Sequence, residues 1–372
     1  MKKFLLFMLG VLLALPGIAR DFEYTYEGQT LTYTVISESA KTCMTKSGTE
    51  GPNGRYVEWG NYITGELIIP SVAKNGGVEY TVTEIGFGSF YHNPLTSLTI
   101  PESVTTIGSR SFEGCHLTSM FMGNSVTKIG DKAFYGCEDL RSLTLPETVT
   151  TIGSYAFSKC TGLTSLTLPE AVTSIGGFAF SECTGLTSVT IGNSVTTIGY
   201  GSFRYCTGLT SVTIPDAVTE IEGYAFHSCT NLRSVAIGNS VTKIGDMAFG
   251  YCRSLSSVII PESVTIIDSS AFHTCTGLTS VTIGNSVTTI GNMAFHDCRG
   301  LTSVLIPNSV TRIDGAAFNF CTGLKKSAYP SGLSNPFGDG IAIEYPREGS
   351  IIEDGFVYGP EKTAIYFAPL SL

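Results

Sequence analysis

The stretch LTSVTIGNSVTTIGYGSFRYCTG, residues 186–208, decides the architecture, because the chain repeats it. Leu117, Leu140, Leu163, Leu186, Leu209, Leu232, Leu255, Leu278, Leu301 and Leu324 follow one another at a constant step of 23 residues. The same register carries a Phe from Phe134 to Phe318, with a Cys three places later from Cys137 to Cys321. One further unit, 95–116, is a residue short but keeps Phe112 and Cys115, and an interrupted unit (GELIIPSV, then YTVTEIGFGSF) comes before it. A fixed period of this length is the signature of a solenoid, in which one coil buries its apolar side only against the next.

Within a unit, LTSVTI places Val and Ile two residues apart, so they share one face of a strand while Ser and Thr take the other. Pro-Glu or Gly-Asn ends the strand, a turn follows at Ile-Gly, and A-F-x-x-C sets Phe and Cys one helical turn apart. That spacing predicts a short helical or 3-10 return on the opposite side. A single unit holds too few apolar side chains to offset the entropy of ordering 23 backbones, so stability belongs to the array. At ~4.8 Å between strands, ten units predict a parallel sheet about 50 Å long.

The fold expected is thus an α/β repeat solenoid over residues 63–326, with a parallel β-sheet on one side and short helical or 3-10 turns on the other. Residues 20–62, with the strand-like runs FEYTY and LTYTVI, read as a β-rich N-terminal cap. Residues 327–372, with the hairpin candidate FVYGPEKTAIYF, read as a C-terminal cap. Ahead of them, Lys2 and Lys3, the apolar run 4–15 and Gly17-Ile18-Ala19 read as a signal peptide over 1–19, implying export. That run is shorter than the roughly 20 residues a bilayer requires, so no membrane insertion is expected.

The consensus LTSVTIPxxVTxIGxxAFxxCTG, nearly complete in residues 209–230, resembles the BspA-type bacterial leucine-rich repeats over about 62–326. The resemblance implies a secreted or cell-surface bacterial protein of a family associated with adhesion to host matrix proteins, epithelia or other microbes. The chain departs from the commoner leucine-rich consensus in carrying Ser or Thr (Ser194, Thr148) where a ladder Asn is expected.

Charged residues make up only 14% of the chain and the net charge is −9, with no basic cluster, which argues against nucleic acid as a partner. Ten of the 11 cysteines occupy one equivalent position. Stacked neighbours ~5 Å apart with parallel side chains fit poorly to disulfide geometry. A column of free buried thiols is expected, with disulfide pairing between neighbours as the alternative, and Cys43 is unassigned. No C-x-x-C pair occurs, so no metal site or cofactor is expected. His227, His273 and His296 share the place after Phe and read as solvated side chains rather than as ligands or bases. Glu147 and Glu170, at the strand exit, read as surface charge rather than as a glycosidase pair. No nucleophile elbow, phosphate loop or H-E-x-x-H motif appears, and the protein is not expected to be an enzyme.

The outer sheet face is the expected binding surface. It is a field of Ser and Thr interrupted by Phe121, Arg141, Arg233, Ile259 and Leu305. Aromatic and Arg side chains dominate interface hot spots, so these five are the ligand-binding candidates. The function expected is adhesin-like recognition of a host or microbial surface protein or glycan. A self-associating stalk or coat component and, as a minor reading, an ice-binding surface stand as alternatives.

Overall fold

A computed structural model describes residues 21–50, 56–58, 61–328, 351–353, 356–358 and 365–367. The leader read over 1–19 lies outside these residues, as does most of the segment after residue 328. Between residues 95 and 323 the chain winds through ten coils, of which 186–208 is the fifth.

Every coil but the third carries two strands where the sequence pattern suggests one. The continuous ladder runs through the two-residue segments that end in Ile, before Gly or an acidic residue. Thr106–Ile107, Lys128–Ile129, Thr151–Ile152 and their successors to Arg312–Ile313 pair in parallel, each Ile opposite the next coil's Ile. This sheet extends beyond the first coil through Val78–Ile85, which pairs with Thr42–Thr45. Gln29–Ser37 and Asp21–Tyr26 follow as antiparallel strands. The LTSVTI strands, expected as one long sheet, form four short ones. Gly65–Ile68, Leu95–Ile100 and Ser119–Met122 make the first; Ser165–Thr167 through Ser234–Ala236 make a second of four strands; two pairs follow. The third coil has no strand at its LTSVTI segment, and the gap lies at Arg141.

The expected helical return is absent: among the described residues the chain contains no helix. In the A-F-x-x-C segment, alternate N–H groups go to different places. Tyr155, Phe157 and Lys159 donate to Gly177, Ala179 and Ser181 of the next coil at 2.8–2.9 Å, whereas Ala156, Ser158 and Cys160 donate back three residues within their own coil. A helix needs every N–H for its own turn. Here half of them bridge coils, and Tyr155 (φ 58°) and Lys159 (φ 62°) adopt left-handed backbone to allow it. The segment is therefore a chain of tight turns that bonds its neighbour as a strand does.

Inside, one Phe per coil from Phe90 to Phe318 forms a column with no solvent exposure. Successive rings lie 5.2–5.5 Å apart and within 12° of parallel. Beside them the Cys column is buried and unbridged. Each column thiol donates to the Phe carbonyl of the preceding coil at 3.1–3.4 Å, as Cys206 does to Phe180. A small apolar side chain with one weak donor suits this place, where the carbonyl would otherwise have spare capacity. Cys43 joins the buried core of the first sheet, its thiol near the Tyr80 carbonyl at 3.9 Å.

A two-coil rhythm overlies the single period. Where a Pro-Glu or Pro-Asp coil precedes a Gly-Asn coil, the carboxylate accepts the Asn backbone N–H. Glu102, Glu170, Asp216 and Glu262 do so with Asn124, Asn193, Asn239 and Asn285 at 2.6–2.9 Å. Glu170 is thus a coil-to-coil link and not mere surface charge. Thr148, at the ladder-Asn place, bonds two carbonyls of the preceding coil, Asn124 at 2.9 Å and Val126 at 2.7 Å.

Candidate binding surfaces

The five sequence candidates fall on the LTSVTI side but do not converge. Phe121 and Ile259 point outward, 55% and 56% exposed, at the fifth strand position; Leu305, at the same position, is half-buried. Arg141 and Arg233 are exposed at the second position. Phe121 and Arg141 lie in adjacent coils, as do Arg233 and Ile259. The two pairs are five coils apart, about 24 Å along the ladder, and Leu305 is two coils beyond.

The threonine hydroxyls at the second strand place are committed. Thr118, Thr164, Thr187, Thr210, Thr279 and Thr302 turn Oγ1 onto the carbonyl of the preceding coil at 2.9–3.3 Å. These threonines hold coils together, leaving less of the surface as a free hydroxyl array.

The turn side carries a feature that the repeat consensus hides. Tyr155 stacks on Phe178 at 4.8 Å, Phe178 meets Tyr200 at 5.3 Å, and Tyr200 meets Tyr224 at 5.3 Å. Gly201 has φ +61°, and a Cβ there would come within 2.5 Å of the Phe178 ring, so a glycine seats that ring. Tyr224 contacts His227, and from there Tyr251, His273, His296 and Phe320 continue the run at 4.9–5.3 Å per step. Ring contacts thus extend unbroken from the third coil to the tenth. Tyr200, Tyr205 and Phe320 are the most open members, at 44%, 38% and 64%. A shallow cavity of about 400 Å³ between Arg110, Lys132 and Tyr155 adjoins the start of the run. The signal available in sequence was weak, since the rings alternate between neighbouring register positions and change identity from coil to coil.

The histidines are part of this run, which corrects their reading as solvated side chains. His227 is only 7% exposed, and His273 and His296 lie face to face at 4.9 Å. Burial, then the charge of Arg204, pushes the His227 imidazole down to about 4; burial and His296 lower His273 as well. The neutral ring is therefore the folded form. Above pH 6.5 neither folded nor unfolded His227 is charged. Between pH 6.5 and 4 the unfolded chain takes up a proton that the folded one refuses, so stability is lost as pH falls through that window. The expected loss from His227 is about 1–3 kcal/mol by pH 4. Urea titrations at pH 7.5 and 4.5 should show a smaller acid penalty for His227→Phe than for the parent chain; equal penalties would place the acid sensitivity elsewhere.

Among the described residues, no three His, Cys, Asp or Glu side chains converge as a metal would require. No helix among them is long and apolar enough to cross a membrane.

A family model of the BspA type leucine rich repeat region matches residues 83–210 and 196–325, in six copies. The chain belongs to this family. The BspA-type repeats found by that match span the coils built above. A solved leucine-rich repeat protein from Bacteroides ovatus is 26% identical, with a TM-score of 0.56 over 85% of this chain and 98% of that one. A leucine rich cell surface protein from Faecalibacterium prausnitzii is 28% identical, with a TM-score of 0.54 over 87% of this BspA-type chain and 94% of its own. No curated protein is significantly similar to the chain.

Proposed function

We propose that this BspA-type protein is an exported, non-catalytic binding scaffold of the bacterial surface that engages a host or microbial surface protein through its LTSVTI side. The observation that carries the reading is that large outward side chains, Phe121 and Arg141 in adjacent coils and Arg233 and Ile259 in another adjacent two, interrupt a face of small Ser and Thr whose second-place threonines are spent on the preceding coil. Side chains of these types supply most of the energy of protein interfaces. Mounted on coils tied by hydrogen bonds, they are held without the entropy cost of ordering a loop. Export follows from the leader-like residues 1–19, and the Faecalibacterium relative is itself described as a cell surface protein.

The test replaces Phe121, Arg141 and Arg233 by Thr, the residue that neighbouring coils use at these places. Solid-phase binding of the mature chain to an epithelial matrix extract should weaken at least tenfold, about 1.4 kcal/mol or more, with the melting temperature unchanged. Undiminished binding would remove this face as the site. Concentration-dependent light scattering without matrix binding would instead favour a self-associating coat or stalk.

A further inference from the structure

The aromatic run carries three cations that form no ion pair among the described residues. The Arg204 guanidinium lies 4.6 Å from the Tyr205 ring centroid and 5.7 Å from that of Tyr224, and its Nη2 donates to Tyr205 Oη at 3.3 Å. Arg253 sits 5.7 Å from the Tyr251 ring, and Lys132 5.4 Å from Tyr155 and 5.8 Å from Tyr135. Among the described residues none of these three has a carboxylate within 4.0 Å. Nearby acids are engaged elsewhere: Glu222 accepts the Tyr200 N–H at 2.8 Å, Asp131 the Ser154 N–H at 2.8 Å, and Glu182 pairs with Lys159 at 4.0 Å. Asp246 faces Tyr224, so the cationic character rests at the Arg204 and Arg253 ends of the patch. Three polar atoms of the run, Arg204 Nε, His227 Nδ1 and His296 Nδ1, are enclosed without a hydrogen-bond partner. In a chain of net charge −9, a tract with unpaired cations and spare polar atoms is an unusual place.

We propose that this turn-side tract is a second binding surface, for an acidic polysaccharide in which a charged sugar alternates with a neutral one. Two features favour this ligand. The rings recur in every coil from the third to the tenth, with one sideways step from Tyr224 to His227, and the apolar C–H face of a sugar packs on aromatic rings while Tyr hydroxyls and Arg N–H groups serve its hydroxyls and carboxylates. The free cations are sparse. Arg204 and Arg253 are two coils apart and Lys132 three coils from Arg204, which is roughly 10 and 14 Å. A nucleic acid strand, with a phosphate about every 3.4 Å, would find too few partners, whereas a polymer charged only on every second sugar asks for sparse cations. The surface lies on the turn side of the coils, away from Phe121 and Arg233, so it stands or falls independently of the strand-side reading.

Calorimetric titration of the mature chain with a hyaluronan decasaccharide tests it, with a neutral cellodextrin and polyglutamate as comparison ligands. Hyaluronan is expected to bind at least tenfold more tightly than either. Arg204→Gln with Arg253→Gln should weaken it at least tenfold, and the Phe121, Arg141 and Arg233 triple variant should leave it unchanged. Tyr205→Gly should weaken it severalfold without lowering the melting temperature, because Tyr205 has φ 60° and Gly136 occupies the same place in the second coil. No hyaluronan binding at millimolar sugar would overturn the proposal, as would affinity unmoved by the Arg pair. Equal binding of polyglutamate would overturn it in favour of an acidic peptide surface.

Discussion

Replacing Phe203 by alanine is expected to lower the unfolding free energy by about 3–5 kcal/mol, the cost of a large cavity that a close-packed interior cannot collapse to fill. The ring has no solvent exposure and stacks on Phe180 at 5.5 Å and Phe226 at 5.4 Å. Its loss therefore damages two coil interfaces at once. In a linear array, stability is a sum of unit and nearest-neighbour terms, so damage in the middle also weakens the coupling between the two halves. Guanidinium unfolding should then become broader or resolve into two steps, whereas Phe90→Ala, at the first end of the column, should leave one transition. A loss below about 1 kcal/mol for Phe203→Ala would mean that the neighbours refill the space, and the column would not be the main cohesive element.

The second large effect is chemical silence of the cysteines. Burial pushes the Cys115, Cys183 and Cys275 thiols up to about 12, and those of Cys137, Cys160, Cys206, Cys229 and Cys252 well above the ordinary range. The thiolate is the reactive species. At pH 8 a thiol with a pKa near 12 is ionised to about one part in 10⁴, roughly a thousandfold less than an ordinary one, before any steric protection. A disulfide-exchange reagent should therefore label these eight thiols of the folded chain at least a thousandfold more slowly than in 6 M guanidinium, where all 11 cysteines of the sequence should react. Fewer than 11 reactive thiols in denaturant without reductant would show that some are paired.

Much of the interior was legible in the sequence because burial recurs. Leu186, Val195, Ile198, Phe203 and Cys206 each hold a place repeated at 23 residues, and each is fully buried. The thiol column was legible for the same reason, since equivalent places stack side by side and do not cross. The second strand was not, because a two-residue segment such as Thr197–Ile198 is too short to show alternation. The helical expectation failed for a related reason. A three-residue spacing from Phe203 to Cys206 suits a helix and equally a pair of tight turns. What decides between them is where the N–H groups of Gly201 and Tyr205 go, namely to Gly223 and His227 of the next coil. Nor did the left-handed places announce themselves, since side chains as varied as Tyr, Lys, Met, Phe and Ser occupy most of them in place of Gly. Binding surfaces were the least legible: Phe121 stands out against threonines, but the Tyr155 to Phe320 run is an alignment in space that no single register position contains.

The carboxylate-to-Asn link between Pro-Glu and Gly-Asn coils bears on how such a chain can change over generations. Each Gly-Asn coil relies on an acid presented by the coil before it, as Asn285 does on Glu262. No two Gly-Asn coils adjoin anywhere in the sequence, whereas two Pro-Glu coils do, at Pro146-Glu147 and Pro169-Glu170. Duplication or excision of one whole couplet, a Pro-Glu coil with the Gly-Asn coil after it (46 residues, or one fewer for the short first coil), keeps every donor matched to its acceptor. One of 23 that leaves two Gly-Asn coils side by side strands an amide. The heritable module of this protein is therefore the couplet, and variation in its length should favour even steps.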